Sequence, residues 1–182
     1  GGSVGKASKA QDPPQDQLQA LMKLYNQGQL QQALAQAESL VEQFPKSPVL
    51  FNIQGAVLKG LGHLDLSIEA YSKALAIKPD YAEAYNNMGN ALQEQGKLEE
   101  AIEAYNKALA IKPDYETVRA VKLYKQARIC DWDGIAEDRK LIPGLGTSKE
   151  FTDPLTMLSL EDAPNRHCLR SENYAKKRFK NK

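Results

Sequence analysis

The chain has 182 residues, 42% of them apolar, and its 24 basic and 23 acidic residues leave a formal charge of +1. That composition suits one soluble domain with an ordinary core and excludes a disordered chain or a global nucleic-acid footprint. No apolar run approaches the ~20 residues of a membrane helix, and no hydrophobic signal-peptide core is present. Two cysteines without metal or disulfide spacing point to a reducing, cytoplasmic setting. Residues 1–13 begin small, polar and lysine-bearing, with nothing to bury, and are expected to be a flexible leader. Pro13-Pro14 then offers proline at a helix start. Leu18, Leu21, Met22, Leu24 and Tyr25 recur at helical spacing until Asn26-Gln27-Gly28 breaks the pattern. Leu30, Ala33, Leu34, Ala37, Leu40 and Val41 make a second amphipathic helix, closed by Phe44-Pro45, which completes a unit over 14–47.

The next two units repeat the plan. In 48–81 the first helix carries Leu50, Phe51, Ile53, Val57, Leu58 and Leu61, and the second carries Leu64, Ile68, Tyr71, Ala74, Leu75 and Ile77. In 82–115 the pattern is Tyr85, Met88 and Leu92, then Leu98, Ile102, Tyr105, Ala108, Leu109 and Ile111. Residues 68–81 and 102–115 differ only at Ser72 and Asn106. Gly28, Gly62 and Gly96 share that register, as do Leu30, Leu64 and Leu98, and Pro45, Pro79 and Pro113. Self-similarity at one fixed period, with glycine at an internal turn and proline at the end, predicts an all-α solenoid of helix pairs. Gly55 and Gly89 recur one period apart inside first helices. Each costs about 1 kcal/mol against alanine, so close packing must need the missing side chain.

Tyr85, Met88-Gly89 and Leu92, followed by Ala101, Tyr105, Ala108 and Pro113, resemble the tetratricopeptide pattern of W-x2-L-G-x2-Y, A-x3-F and a closing proline. The resemblance implies a right-handed superhelix of antiparallel helix pairs whose first helices line a concave face. The first unit has Gln17 and Leu21 where the aromatic and glycine usually sit, as an atypical capping repeat would. Gln54 stands where an apolar residue is usual.

A degenerate fourth unit spans 116–143. Its first helix carries Val118, Val121, Leu123 and Ala127; Cys130 replaces the turn glycine, and Trp132 falls on the register of Leu30, Leu64 and Leu98. Asp131 or Asp133 can cap a second helix with Trp132, Ile135 and Leu141, ended by Pro143-Gly144-Leu145-Gly146. A helical extension, 144–182, contains a short helix over 152–160 and a last helix over 165–179 with a basic end. Residues 48–115 hold six basic and nine acidic residues, whereas 116–182 hold fourteen and ten. The steps Cys130-Asp131-Trp132 and Asp153-Pro154-Leu155 resemble the stretch that joins repeats to catalytic domain in bacterial SPINDLY-like relatives of O-GlcNAc transferase. That resemblance implies the N-terminal part of a larger glycosyltransferase, with the two catalytic lobes absent from these 182 residues.

The candidate chemistries are weak. His167 and Cys168 are neighbours on one helix and point apart, which disfavours a nucleophilic pair. Gly144-Leu145-Gly146 lacks the strand and lysine of a phosphate cradle. Glu99-Glu100 opens a helix, where negative charge complements the dipole. The basic tail lacks the aromatics and wide basic face of a nucleic-acid site. No catalytic residue, cofactor or metal ligand is therefore expected, and the chain reads as a non-enzymatic interaction module. Its partner is a protein or extended peptide, or a second copy of itself, rather than nucleic acid or membrane.

The candidate groove residues are those that recur on the first helices: Tyr25, then Asn52 and Lys59, then Asn86, Asn87, Asn90, Gln93 and Glu94, with Tyr124 and Arg128 on the fourth. Asparagine both donates and accepts, so spaced along a groove it can pair with a peptide backbone of any sequence. Asn87 and Asn90 match the asparagine-ladder positions of the O-GlcNAc transferase relatives, but Ile53 and Ala56 occupy them one unit earlier, so a weak grip is expected. Leu18 and Met22 stand where the two-carboxylate clamp of chaperone-binding repeats has lysine and asparagine, so that clamp is expected to be absent.

Overall fold

A computed structural model describes residues 12–129 together with 131, 133, 135 and 136, the side chain of Arg128 excepted. These residues contain helices and no strand. The chain divides into two compact units, 1–95 and 96–182.

The first unit holds α1 (Gln15–Asn26), α2 (Leu30–Gln43), α3 (Pro48–Gly60), α4 (Leu64–Ile77) and α5 (Ala82–Glu94). Consecutive helices pack on one another, and α3 also touches α5. Leu21, Ala33, Ala37, Leu40, Leu50, Ile53 and Val57 form one buried cluster. Phe51, Ala74, Leu75 and Ala84 form another, against which Val41, Tyr85 and Met88 pack. These are the apolar positions of the periodic pattern, and their burial is what holds short helices that would be marginal alone.

The turn glycines have a geometric reason. Gly28 and Gly62 adopt φ of 73° and 81°, a left-handed conformation that strains any residue with a β-carbon. Gly28 N–H donates to Tyr25 O and Gln29 N–H to Leu24 O, while Gly62 N–H donates to Lys59 O and His63 N–H to Leu58 O. Both pairs of bonds satisfy the last carbonyls of a helix in a Schellman cap. The close approach expected at Gly55 also appears. A β-carbon there would lie 2.6 Å from Tyr71 Cε1 and 2.9 Å from Cζ, because the Tyr71 ring lies against the backbone of α3. Ser67 Oγ, one turn before Tyr71, donates to Gly55 O at 2.8 Å.

Ser47 caps α3, its Oγ accepting from Leu50 N–H at 3.2 Å and donating to Asp12 Oδ1 at 2.5 Å. Asp12 and the buried Pro13, expected as the end of a flexible leader, are thereby held against the α2–α3 corner. At the α4–α5 corner the Ser47 position carries Tyr81, and Lys78 Nζ sits 4.9 Å above its ring. A partly desolvated contact of this kind contributes roughly 0.5–1 kcal/mol.

In the second unit α6 (Leu98–Ile111) opens after Gly96, whose φ is 80°, and packs against α7 (Glu116–Arg128). Glu99 and Glu100 lie in the first turn of α6, as the dipole argument expects. Lys112 Nζ sits 4.3 Å above Tyr115, repeating the lysine-over-tyrosine contact one period on. After α7, Asp131 N–H donates to Gln126 O, Gln126 Nε2 donates to Asp131 Oδ2, and Ile135 N–H reaches Asp131 O at 3.3 Å. Asp131 therefore opens the next helical turn, and Ile135 packs on Ala120 and Leu123. Residues 1–11, Cys130, Trp132, Leu141, Gly144–Gly146, both helices expected within 144–182 and the basic tail lie outside the described residues. Among the described residues, no helix is long and apolar enough to cross a membrane.

Candidate functional site

The first helices of successive pairs, α3 and α5, run side by side in the first unit and bring most of the candidate residues onto one face. Asn87 Nδ2 donates to Asn52 Oδ1 at 3.0 Å, and Asn52 Nδ2 reaches Tyr81 Oη at 3.4 Å. Asn86 Nδ2 approaches Asn87 Oδ1 at 3.5 Å. The amides thus form a chain across the two helices, half-buried and continued into the corner by a tyrosine hydroxyl. Asn90 and Gln93, farther along α5, are half-buried and also engaged.

At the turn end of the same face Lys59 Nζ meets Glu94 Oε1 at 2.9 Å. Their side chains are 28% and 45% exposed, so water screens the pair and its worth is no more than about 1 kcal/mol. The pair bridges α3 to α5, as the Asn52–Asn87 bond does at the other end.

Two tyrosines border this face. Burial raises the Tyr81 pKa above the usual 10.0, with Glu83 adding to the rise, while the Asn52 hydrogen bond opposes it. Tyr71 is fully buried, and among the described residues its hydroxyl has no hydrogen-bond partner. Desolvation drives its pKa up strongly, with smaller contributions from Tyr25 and Glu94. Ser67 works in the opposite direction, though its proton is committed to Gly55 O. Tyr25, on α1, is half-buried beside the first cluster.

Tyr124 and Arg128 belong to α7 in the second unit. Tyr124 is half-buried beneath Lys125 Nζ at 4.9 Å, and the Arg128 side chain lies outside the described residues. Leu18 packs into the first cluster and Met22 is 38% exposed, so neither supplies a polar group to α1. Among the described residues, no group of three His, Cys, Asp or Glu side chains could hold a metal ion. Sequence reasoning missed Tyr81 as a member of the amide chain. The signal available was the Lys-Pro-Asp-Tyr step that closes both near-identical segments.

The sequence profile of the tetratricopeptide repeat matches residues 18–47 and 82–115, and a TPR-repeat profile matches 55–96. The chain belongs to the tetratricopeptide-repeat family. No curated protein matches it. Among solved structures, this repeat protein is similar to MamA from Desulfovibrio magneticus RS-1, with 26% identity, 69% of this chain and 71% of that one covered, and a TM-score of 0.61. It also shares its fold with the first TPR of Spaghetti (RPAP3) bound to the HSP90 peptide SRMEEVD. Identity there is 21%, covering 66% of this chain and 98% of that one, with a TM-score of 0.61. The Yersinia enterocolitica type III secretion chaperone SycD, solved with a peptide of the translocator YopD, has the fold at 21% identity. It covers 56% of this chain and 81% of that one, with a TM-score of 0.51.

Proposed function

We propose that this tetratricopeptide-repeat chain is a protein-interaction module that binds an extended peptide or protein segment along α1, α3 and α5. The observation that carries the proposal is the amide chain Asn86–Asn87–Asn52. Half-buried amides with donors and acceptors to exchange suit a peptide backbone better than they suit any reaction. Two solved relatives of the same fold hold peptides, which supports the reading.

Binding is weak because it is an exchange. A peptide carbonyl that accepts from Asn87 displaces Asn52, and the net gain per exchanged bond is of order 1 kcal/mol or less. Recognition through backbone groups also makes it tolerant of ligand sequence. Without the clamp residues on α1, SRMEEVD and a scrambled heptapeptide of the same composition bind with similar affinity. Titrating both into the wild type and into Asn52→Ala/Asn87→Ala tests this. A loss of binding in the variant supports the groove; unchanged binding places the ligand elsewhere. The Cys130-Asp131-Trp132 step carries the further proposal that the module belongs to a cytoplasmic SPINDLY-like glycosyltransferase. Extending the reading frame past Lys182 tests it, and a continuation without a sugar-nucleotide domain refutes it.

A further inference from the structure

Away from the amide face, α2, α3 and α4 border a shallow pocket, open to solvent, of about 150 Å³ lined by Glu38, Gln54, Leu58, Leu66, Glu69 and Lys73. The repeat breaks its own rule twice there. Gln54 is polar where the equivalent position carries Met88, which packs with the second cluster and receives Ser72 Oγ at 3.9 Å from its sulfur. Leu66 is apolar where the equivalent positions carry Gln32 and Glu100, and it is 52% exposed. Glu38 stands on the register of Ser72. A polar residue has moved inward and an apolar one outward, and both line one cavity. Such local conflicts are costly to folding and mark places where something other than folding is served.

The pocket's charges are unequal. Glu69 is tied to Lys73 at 2.7 Å. Among the described residues, neither the exposed Glu38 carboxylate nor the half-buried Gln54 amide has a hydrogen-bond or ion-pair partner. The pocket therefore offers one unbalanced carboxylate, one amide oxygen and an apolar wall from Leu58 and Leu66. It is smaller than the 300–1,000 Å³ typical of whole-ligand sites, and suits a single side chain.

We propose that this outer pocket receives an arginine side chain from a partner protein. The guanidinium fork donates to Glu38 and to the Gln54 carbonyl at once, and the methylene stem lies on Leu58 and Leu66. Lysine, a compact and strongly hydrated point charge, matches the paired acceptors less well.

The test uses the intact chain and blocked arginine amide as the probe, with blocked citrulline amide as its uncharged isostere. Backbone amide resonances of Glu38, Gln54, Leu58 and Leu66 are followed by NMR. Arginine is expected to shift these resonances, and citrulline to need roughly threefold to fivefold more probe, as a partly screened charge pair implies. The double variant Glu38→Ser/Gln54→Met installs the residues that already pack one period later, so it folds, and it loses the arginine shifts. Asn52→Ala/Asn87→Ala keeps them, which separates this site from the amide face. Shifts of equal size with citrulline, no shifts with arginine, or full retention in Glu38→Ser/Gln54→Met overturn the proposal.

Discussion

Gly55→Ala is the sharpest test of the packing argument. The new β-carbon would meet Tyr71 Cε1, Cδ1 and Cζ at 2.6, 2.7 and 2.9 Å. A rigid, fully buried ring cannot yield as a flexible chain end can. With three contacts under 3.0 Å to a ring that cannot move, overpacking falls in the upper part of its range, about 2–3 kcal/mol, against which alanine returns about 1 kcal/mol of helix propensity. The net expectation is a loss of about 1–2 kcal/mol, or roughly 2–8 °C in Tm for a chain of this size. Gly60→Ala is the control. Its β-carbon would lie 2.9 Å from Leu30 Cδ1, the end of a side chain that can turn away, so its effect is close to neutral. Urea unfolding monitored by far-UV circular dichroism reads both. Tyr71→Leu should cost less in the Gly55→Ala background than in the wild type, by a coupling of about 0.5–3 kcal/mol. A Gly55→Ala protein as stable as Gly60→Ala, or more stable than wild type, refutes the claim that glycine is there for the ring.

Tyr71→Phe removes a buried hydroxyl without a partner and is expected to cost nothing or to stabilise by up to about 1 kcal/mol. The raised pKa values of Tyr71 and Tyr81 keep both neutral in the folded state where unfolded tyrosine ionises, near 10.0. Their contribution is therefore intact below that pH and is lost as pH rises above it. Tyrosinate absorbance at increasing pH should show one fewer late-ionising tyrosine in Tyr71→Phe than in the wild type. Ser47→Ala removes the cap of α3 and the anchor of Asp12, with an expected loss of about 1 kcal/mol by urea unfolding. Glu94→Gln should cost no more than about 1 kcal/mol at low salt and nothing measurable at 1 M salt, since Lys59–Glu94 is partly exposed.

Much of the fold was legible because a strict period leaves few alternatives. Gly28, Gly62 and Gly96 located the turns, and the structure gives each a positive φ. The amide chain was less legible. Equal register pairs Asn52 with Asn86, yet the bond is made between Asn52 and Asn87, and likewise between Lys59 and Glu94, 35 positions apart. A period states which positions are equivalent; how far neighbouring helices slide past each other decides which ones touch. Gln54 also resisted the sequence. It looked like a departure from the apolar pattern, and only the placement of Glu38 and Leu66 around it shows that it faces a cavity. Tyr81 was hidden for the opposite reason. Its surroundings in 68–81 recur almost unchanged in 102–115, which sets no residue of the segment apart, although its hydroxyl closes the amide chain.

The central claim is that the amides of α3 and α5 exchange their mutual bonds for those of a ligand backbone. The most direct measurement follows the side-chain NH2 resonances of Asn52, Asn86 and Asn87 by NMR while the SRMEEVD heptapeptide and its scrambled form are titrated. The expected result is a concerted shift of all three, similar for both peptides and absent when Asn52 and Asn87 are alanine. Peptide binding that leaves those resonances unmoved would contradict it.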